Sequence, residues 1–201
     1  MSKHKCYVSV CGDVATVHDK WSDCEAHTSG VSGAIVKGFR DKTSAEQWIA
    51  YYTAQRTNPF THAAYTDGSN FNDTIIAWGL VVVPNGATAP CHQASGRVTK
   101  NLQYRNEAGE LEAAIQAVVW AHQNNAQIRI HHDYVGVSHY VLGIWEPKST
   151  MAREYVEFMN AHKECISGFY WIKGHTNNEY NELADKLAGE EMAKHKPVSK
   201  S

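Results

Sequence analysis

The order of strand-like and helical segments from residue 62 onward most constrains the fold of this 201-residue chain. Three strand-like segments come first, over residues 63–69, 75–83 and 93–98. Strands then alternate with helical segments. Consecutive strands favour antiparallel pairing, whereas alternation of strands and helices favours parallel crossovers. The sequence therefore predicts an α/β domain in which helices flank a mixed five-stranded sheet.

The alternating part is defined by its apolar periodicity. An apolar residue recurs every three or four positions over residues 106–124, which predicts an amphipathic helix. Its apolar face consists of Leu111, Ile115, Val118 and Val119. The other expected elements are a strand over 127–132, helices over 135–145 and 151–163, a strand over 169–173 and a helix over 178–194.

Residues 1–50 predict a smaller α+β unit with the order strand, strand, helix, strand, helix. Its first two strands meet at a Gly12–Asp13 turn. Helices are expected near Ser22 and Thr43, because each is followed three positions later by a glutamate, the spacing of a capping box.

The boundary between the two parts is expected at Asn58–Pro59, because a residue before proline disfavours helical backbone. We therefore divide the chain into a small unit over 1–52, a linker over 53–61, a larger domain over 62–194 and a polar tail over 195–201.

The charge balance excludes a protein coated with basic residues. The chain has 19 lysines and arginines against 21 aspartates and glutamates, a formal charge of −2. Any binding of a polyanion must therefore come from a local surface. No apolar run approaches the roughly 20 residues that a membrane helix needs. The five cysteines form no CxxC pair, which argues against a disulfide framework or a zinc knuckle and favours a reducing, cytoplasmic setting.

Four carboxylates occupy positions where a ligand site forms in such sheets. Asp67 and Asp133 are expected at strand ends, Glu110 in the first turns of a helix and Asp185 on the last helix. Clustered carboxylates repel one another, and a pair of Mg²⁺ ions would relieve that repulsion. Taken singly, each has an ordinary explanation as a turn former, a helix-start charge or a surface charge. Spacing alone does not assemble the four.

The motifs around these carboxylates are specific as a set. In chain order they are Tyr65-Thr66-Asp67-Gly68-Ser69, Tyr104-Arg105-Asn106-Glu107-Ala108-Gly109-Glu110, His132-Asp133-Tyr134-Val135-Gly136, and Lys173-Gly174-His175 followed by Asn181 and Ala184-Asp185-Lys186-Leu187-Ala188. Together they resemble the ribonuclease H type 1 family over about residues 62–194. The resemblance implies an endonuclease that hydrolyses the RNA strand of RNA–DNA hybrids and leaves 5′-phosphate and 3′-hydroxyl ends.

The resemblance also implies a cofactor and a role for each carboxylate. Two Mg²⁺ ions are expected, with Mn²⁺ able to substitute. Asp67 would bridge both ions and Asp185 would complete the site of the attacking water. Glu110 and Asp133 would hold the ion near the leaving 3′-oxygen. Glu112 competes for the glutamate role, but the family's Gly-Glu-Leu arrangement favours Glu110.

Other residues are expected to act on the proton or the substrate. His175 would assist proton transfer or product release, a role that suits a side chain whose ordinary pKa is near neutral. Ser69 and Asn70 would contact the substrate backbone beside the first carboxylate. Asn106 would contact the minor groove, where 2′-hydroxyls distinguish RNA from DNA. Asn106 is equally suited to cap the helix that follows it.

The first 50 residues resemble the small hybrid-binding domain that precedes many ribonucleases H. The matching positions are Tyr7, Trp21, Cys24, Ala34, Lys37 and Phe39, followed by the segment Ala45-Glu46-Gln47-Trp48. The resemblance implies that Tyr7 belongs to the nucleic-acid surface, that Trp21 packs on the DNA sugar–phosphate and that Lys37 contacts phosphate. The alternative for Trp21 is a place in the core of this small unit.

Two departures from the pattern of this small domain predict weak binding. Val36 replaces a second contact aromatic and Gly38 replaces a lysine. Residues 1–50 also carry six basic and six acidic side chains, so few counterions would be released on binding.

Two other functions compete with the hybrid endonuclease. One is a non-catalytic protein that binds hybrids or double-stranded RNA, against which the presence of all four carboxylates argues. The other is a retroelement-derived nuclease of the same fold, against which the small N-terminal unit argues. The expected partner is an RNA–DNA hybrid, with no membrane and no obligatory protein partner.

Overall fold

The computed structural model of the chain describes residues 5–12, 14–71, 74–172 and 178–196. Contacts between residues divide the chain into two compact units, with the boundary between Thr57 and Asn58. The first unit contains a three-stranded sheet and the second a five-stranded sheet. None of the helices in the described ranges is long and apolar enough to span a bilayer.

The first unit has the predicted order of elements. They are β1 (Cys6–Cys11), β2 (Val14–His18), α1 (Trp21–Thr28), β3 (Ile35–Phe39) and α2 (Lys42–Thr57). β1 is the central strand and pairs antiparallel with both neighbours. Because side chains alternate across a strand, Val8 and Val10 face one side of the sheet and Tyr7 and Ser9 the other. The α+β prediction for this unit is confirmed.

The predicted capping boxes in this unit are wrong. α1 begins at Trp21, so Ser22 lies inside its first turn and its hydroxyl donates to the Asp23 carboxylate. The residue that caps α2 is Asp41, which accepts the backbone N–H of Ser44 at 2.7 Å. Capping-box spacing occurs inside a helix as readily as at its start, so it does not fix the first residue.

The end of α2 also differs from the sequence division. α2 extends to Thr57, so residues 53–57, expected in a linker, form its last turns. The helix stops immediately before Asn58–Pro59, where the backbone preference imposed by proline disfavours another helical residue.

The second unit contains the mixed sheet. Its strands are β4 (His62–Phe71), β5 (Ile75–Pro84), β6 (His92–Arg97), β7 (Ile128–His132) and β8 (Ile166–Trp171). They are arranged in the order β6-β5-β4-β7-β8. The first three strands pair antiparallel, and β7 pairs parallel with both β4 and β8. The prediction of a mixed five-stranded sheet flanked by helices is confirmed.

Four α-helices accompany this sheet in the part of the unit that the structure describes. They are α3 (Asn106–Gln123), α4 (Gly136–Val141), α5 (Thr150–Ala161) and α6 (Glu179–Lys194). α4 is shorter than the predicted helix over 135–145, because the chain turns at Gly143, which has a φ of 63°. β8 begins three residues before the predicted start at 169. Ser149 caps α5 and Asn178 caps α6 through their side-chain oxygens.

The buried face of α3 is lined largely by small residues. Leu111 and Val118 of the predicted apolar face are buried, whereas Ile115 is half-buried. The remaining fully buried side chains of this helix are Ala113, Ala114, Ala117 and Ala121. Alanine side chains leave the helix close to the sheet, and this closeness brings the first turns of α3 to the central strand.

Candidate active site

Asp67 lies inside the central strand rather than at its end. Antiparallel pairing of β4 with β5 continues to Phe71 opposite Ile75. Parallel pairing of β4 with β7 extends to Tyr65 opposite His131. The prediction that Asp67 closes a strand is therefore wrong, because β5 keeps β4 extended for four more residues. The parallel pairing of β4 with β7 ends before Asp67, however, so Asp67 lies just beyond the last pair of these two strands.

Asp133 immediately follows β7, as the sequence predicts. The two parallel strands therefore bring Asp67 and Asp133 to the same end of the sheet, where their parallel pairing stops. Trp171, the last residue of β8, donates its indole N–H to the backbone carbonyl of Asp133 at 3.0 Å. This hydrogen bond holds the backbone of Asp133 where it leaves the sheet.

A close contact between α3 and β4 places Glu110 beside Asp67. Gly68 lies against the helix so closely that a Cβ there would be 2.6 Å from the Glu110 nitrogen and 2.8 Å from the Gly109 carbonyl carbon. Only glycine permits this approach. Because Gly68 is the neighbour of Asp67 in the strand, the approach brings the Glu110 side chain to the same point of the sheet.

A second close contact places Asp185 over the other face. Gly79 of β5 lies directly opposite Asp67 in the strand register. A Cβ on Gly79 would overlap the carbonyl oxygen of Ala184 and lie 2.9 Å from the Ala188 nitrogen. Asp185 follows Ala184 on α6, so this packing brings its carboxylate near Asp67.

Three of the four predicted carboxylates form a tight cluster. Oxygen atoms of Asp67, Glu110 and Asp133 all lie within 4.8 Å of one another. Asp67 is 7% exposed and Glu110 is 2% exposed. Asp185 is exposed and lies outside this 4.8 Å group, but its charge acts on Asp67.

Burial and mutual repulsion disfavour the ionised carboxylates. Burial, followed by the charges of Asp133 and Asp185, raises the pKa of Asp67 to about 8. Burial and the charge of Asp67 raise the pKa of Glu110 well above its ordinary value. A hydrogen bond from the backbone N–H of Gly68 opposes both shifts. This hydrogen bonding does not offset burial and repulsion, so the ionised form of the cluster is disfavoured at neutral pH.

The donor set of this cluster fits a hard divalent cation. All of its ligand atoms are carboxylate oxygens, which Mg²⁺ prefers. Within the described ranges, Glu110 Oε2 is buried without a hydrogen-bond partner. A buried carboxylate oxygen that lacks a partner is costly, and a cation would supply one. The other oxygen, Oε1, accepts a hydrogen bond from the Asn106 amide at 3.2 Å.

Asn106 does not cap α3. The residue before the helix is Arg105, and Asn106 is the first helical residue. Its side chain points along the first turn to Glu110, which orients the glutamate. The capping alternative for Asn106 is therefore wrong.

The remaining predicted substrate residues near the cluster are on different faces of β4. Ser69 shares a face with Asp67, and its hydroxyl lies 3.5 Å from the Met192 sulfur on α6. Asn70 is half-buried and shares the opposite face with Gly68. The predicted proton-transfer residue, His175, lies outside the described residues.

The N-terminal unit presents Trp21 at its surface. Trp21 is 47% exposed, and its ring packs edge-on against Tyr7 with ring centres 5.4 Å apart. The alternative of a core tryptophan is therefore wrong for Trp21. Trp48 takes that place, since it is 9% exposed and packs against Phe39.

The structure does not group Lys37 with Trp21. Lys37 pairs with Val8 and therefore faces the opposite side of the sheet from Tyr7. Its Nζ lies 5.7 Å from the centre of the Phe39 ring. Burial lowers the pKa of Lys37. Val36, one of the two departures from the family pattern, is on the Tyr7 side of the same strand.

Sequence reasoning missed a polar group beside the cluster. Tyr140 on α4 donates to Glu107 Oε1 at 3.0 Å, in the first turn of α3. Burial and the charge of Glu107 raise the pKa of Tyr134, which follows Asp133. These residues come from α3, α4 and the turn between β7 and α4, so their spacing along the chain gave no signal. The close contact at Gly79 could have been predicted, because a glycine inside an apolar strand often marks a close approach of another backbone.

Comparisons with known proteins assign both units. A family described as RNase H matches residues 61–193, and one described as the ribonuclease H1 N-terminal domain matches residues 5–49. A ribonuclease H from Francisella philomiragia is 31% identical over 144 residues, which cover 65% of this chain and 90% of that protein. A ribonuclease H from Saccharomyces cerevisiae is 23% identical over 235 residues and covers 90% of this chain and 67% of its own length.

Solved structures share the fold of the larger unit. RNase H1 from the archaeon Halobacterium salinarum matches with a TM-score of 0.57 at 22% identity, covering 66% of this chain and 98% of that one. LC11-RNase H1, solved in complex with an RNA/DNA hybrid, matches with a TM-score of 0.53 at 16% identity, covering 64% and 97%. With its carboxylate cluster on a central strand and both family matches in order, the chain belongs to the ribonuclease H family.

Proposed function

We propose that this protein hydrolyses the RNA strand of RNA–DNA hybrids at the cluster of Asp67, Glu110 and Asp133, completed by Asp185. The observation that carries this proposal is the 4.8 Å grouping of three carboxylates, two of which are buried and have raised pKa values. Stability alone does not favour such a cluster. Divalent cations held by these carboxylates would neutralise their charge and bind the phosphate of the substrate.

We propose two Mg²⁺ ions as the cofactor, with Mn²⁺ as a substitute that accepts the same oxygen donors. When bound, such a pair supplies charge neutralisation at the scissile phosphate and activation of water. Asp67 is suited to hold both ions, because the charges of Asp133 and Asp185 both reach it. Glu110 and Asp133 are suited to hold the ion on the leaving-group side, and Asp185 to complete the other position.

The remaining roles in the reaction are assigned by chemistry. His175 would move a proton or assist departure of the product. Cleavage would leave a 5′-phosphate on one RNA fragment and a 3′-hydroxyl on the other. Asn106 would orient Glu110 and present its amide to the minor groove. Ser69 and Asn70 would contact the substrate backbone from the two faces of β4.

We propose that the N-terminal unit binds the same hybrid through the exposed ring of Trp21 and its neighbour Tyr7. An exposed aromatic ring can pack on a sugar–phosphate backbone without reading sequence. Lys37 faces the other side of the sheet, so its phosphate contact would be made around the edge strand β3. Basic and acidic side chains balance over residues 1–50 of this unit, and we expect its binding to be weak and sensitive to salt. All five cysteines are free thiols, which fits a reducing compartment such as the cytoplasm.

The test is a panel of end-labelled duplexes: RNA–DNA hybrid, double-stranded RNA and double-stranded DNA, each with and without Mg²⁺. We expect cleavage of the hybrid alone, in its RNA strand and only with the metal. Asp185→Asn should reduce cleavage strongly, whereas Glu182→Gln, an exposed neighbour on the same helix, should leave it unchanged. Binding of the hybrid without metal-dependent cleavage would instead identify a non-catalytic hybrid-binding protein.

A further inference from the structure

A second group of metal-ligating side chains lies at the far end of α3. Atoms of His122, Glu164 and Cys165 that can bind a metal all lie within 4.8 Å of one another. The Cys165 sulfur is 4.0 Å from His122 Nδ1 and 3.8 Å from Glu164 Oε1. His122 belongs to the last turn of α3, and the other two form a 3₁₀ turn that leads into β8.

A further histidine accompanies this group. The His162 ring lies 5.6 Å from the His122 ring, centre to centre and nearly perpendicular to it. Its Nδ1–H donates to the carbonyl of Phe158 at 2.9 Å. That hydrogen bond fixes the tautomer in which Nε2 carries the lone pair. A backbone carbonyl that orients the second ring nitrogen is the usual support of a metal-binding histidine.

The chemistry of this group differs from that of the catalytic cluster. It combines sulfur, nitrogen and oxygen donors, a set that suits Zn²⁺ and disfavours Mg²⁺. Cys165 is 6% exposed, whereas His122 and Glu164 are exposed, so an ion from solvent can reach the thiol.

Glu110 and His122 are 12 residues apart on one helix, a separation of about 18 Å along its axis. The two groups are therefore distinct sites.

We infer that His122, Glu164 and Cys165 form a zinc-binding site, with His162 beside it as a further donor. As the zinc–sulfur bond forms, the thiol proton passes to solvent. A bound ion joins the C-terminal end of α3 to the turn before β8. Because unfolding separates these ligands, the ion stabilises the folded chain.

The experiment is a titration of the full-length reduced protein with Co²⁺ as a spectroscopic probe, in excess Mg²⁺ to saturate the carboxylate cluster. A cysteine ligand gives a thiolate-to-metal charge-transfer band, which carboxylates do not give. We expect this band to saturate at one equivalent and to disappear when Zn²⁺ is added. Cys165→Ser should abolish the band, whereas Cys91→Ser, at an exposed cysteine outside the group, should retain it.

Two surface variants test the other ligands without altering the core. His122→Ala and Glu164→Gln should each weaken Co²⁺ binding by at least about tenfold, because each removes one protein ligand. Zn²⁺ should raise the melting temperature of the wild type and Cys91→Ser by a few degrees and leave His122→Ala unchanged. Circular dichroism checks the fold of every variant. Absence of the thiolate band in the wild type, or unchanged affinity in both surface variants, would overturn the zinc site even where Cys165→Ser does not fold.

Discussion

Asp67 and Gly79 face each other across the β4–β5 ladder, and the missing side chain of Gly79 makes room for the backbone of α6. The carbonyl of Ala184 occupies that space, which places the next residue, Asp185, near Asp67. The position of the fourth carboxylate therefore depends on a glycine that carries no functional group.

Gly79→Ala should lower both stability and activity. The added methyl group would overlap the Ala184 carbonyl, so α6 must shift away from the sheet and take Asp185 with it. Overpacking of this kind typically costs about 1–3 kcal/mol. The control is Gly189→Ala on α6, where an added Cβ would meet no atom within 4 Å. Thermal melts and Mg²⁺-dependent cleavage should separate the two variants, and equal behaviour would contradict this account of α6.

Asp67→Asn should abolish hydrolysis while hybrid binding in Ca²⁺ persists. This substitution removes the charge that both proposed ions share, and several kcal/mol of transition-state stabilisation correspond to a loss of at least roughly 10³-fold. Gel-shift binding and single-turnover cleavage measure the two effects separately. Substantial Mg²⁺-dependent turnover by this variant would remove Asp67 from the metal site.

The same substitution should stabilise the protein when divalent metals are removed. The pKa of Asp67 rises to about 8 on folding, from an ordinary value near 3.8. A raised pKa favours the folded state below pH 4, and this contribution is lost as pH rises from about 4 to about 8. In EDTA, the melting temperature of Asp67→Asn should therefore exceed that of the wild type by a margin that widens by several degrees between pH 5 and 8.

Glu110, whose pKa the charge of Asp67 helps to raise, changes the margin in the same direction, and His132 does not disturb the comparison. Burial lowers the pKa of His132 to about 3, which destabilises both proteins equally as the medium becomes acidic. Adding Mg²⁺ at pH 8 should narrow the margin, because the ion stabilises the ionised cluster of the wild type. If the difference in melting temperature between the two proteins stayed constant with pH, repulsion at Asp67 would not be the cause of that difference.

His175→Ala should slow turnover by roughly 10²-fold without eliminating it, the usual contribution of one proton-transfer group. Single-turnover and steady-state rates together distinguish slow proton transfer from slow product release. Complete inactivity with intact metal binding would contradict an accessory role.

Removal of residues 1–57 should leave an active domain with a higher KM on long hybrids and nearly unchanged kcat. The boundary after Thr57 separates the two units, and all four carboxylates lie beyond it. The loss of a tethered binding unit lowers the effective concentration of substrate, and the effect should shrink as salt rises. In the full chain, Trp21→Ala should reproduce part of the increase, whereas Tyr51→Ala, at a similarly exposed aromatic residue, should not. An unchanged KM at low salt would exclude binding by the N-terminal unit.

The order of elements could be predicted because strand-like segments, turn signals and the helical periodicity of α3 mark them along the chain. The 3.6-residue pattern of α3 and the strand before Asp133 both appear in the structure. The site residues were proposed mainly from the resemblance, since the carboxylates are far apart in sequence. Spacing alone could not have joined Asp67 to Asp185.

What could not be predicted depends on contacts between distant elements. β4 extends through Asp67 because β5 pairs with it, and no local feature of residues 67–71 requires this. Lys37 faces away from Trp21 because the strand register sets the side of each residue. His122 and Cys165 are 43 positions apart, and only the packed fold brings them together.

The carboxylate cluster also depends on the register in which β4 pairs with its neighbours. β4 and β7 run together to Tyr65 and His131 and then separate, so that Asp67 and Asp133 meet just past the last pair. A slip of one residue between these strands would turn a whole set of side chains to the other face. A slip of two would preserve the faces but displace Asp133 by about 7 Å. During refolding, recovery of metal affinity should therefore follow the step that aligns β7 with β4, and intermediates with a misaligned strand should neither bind the ions nor cleave RNA.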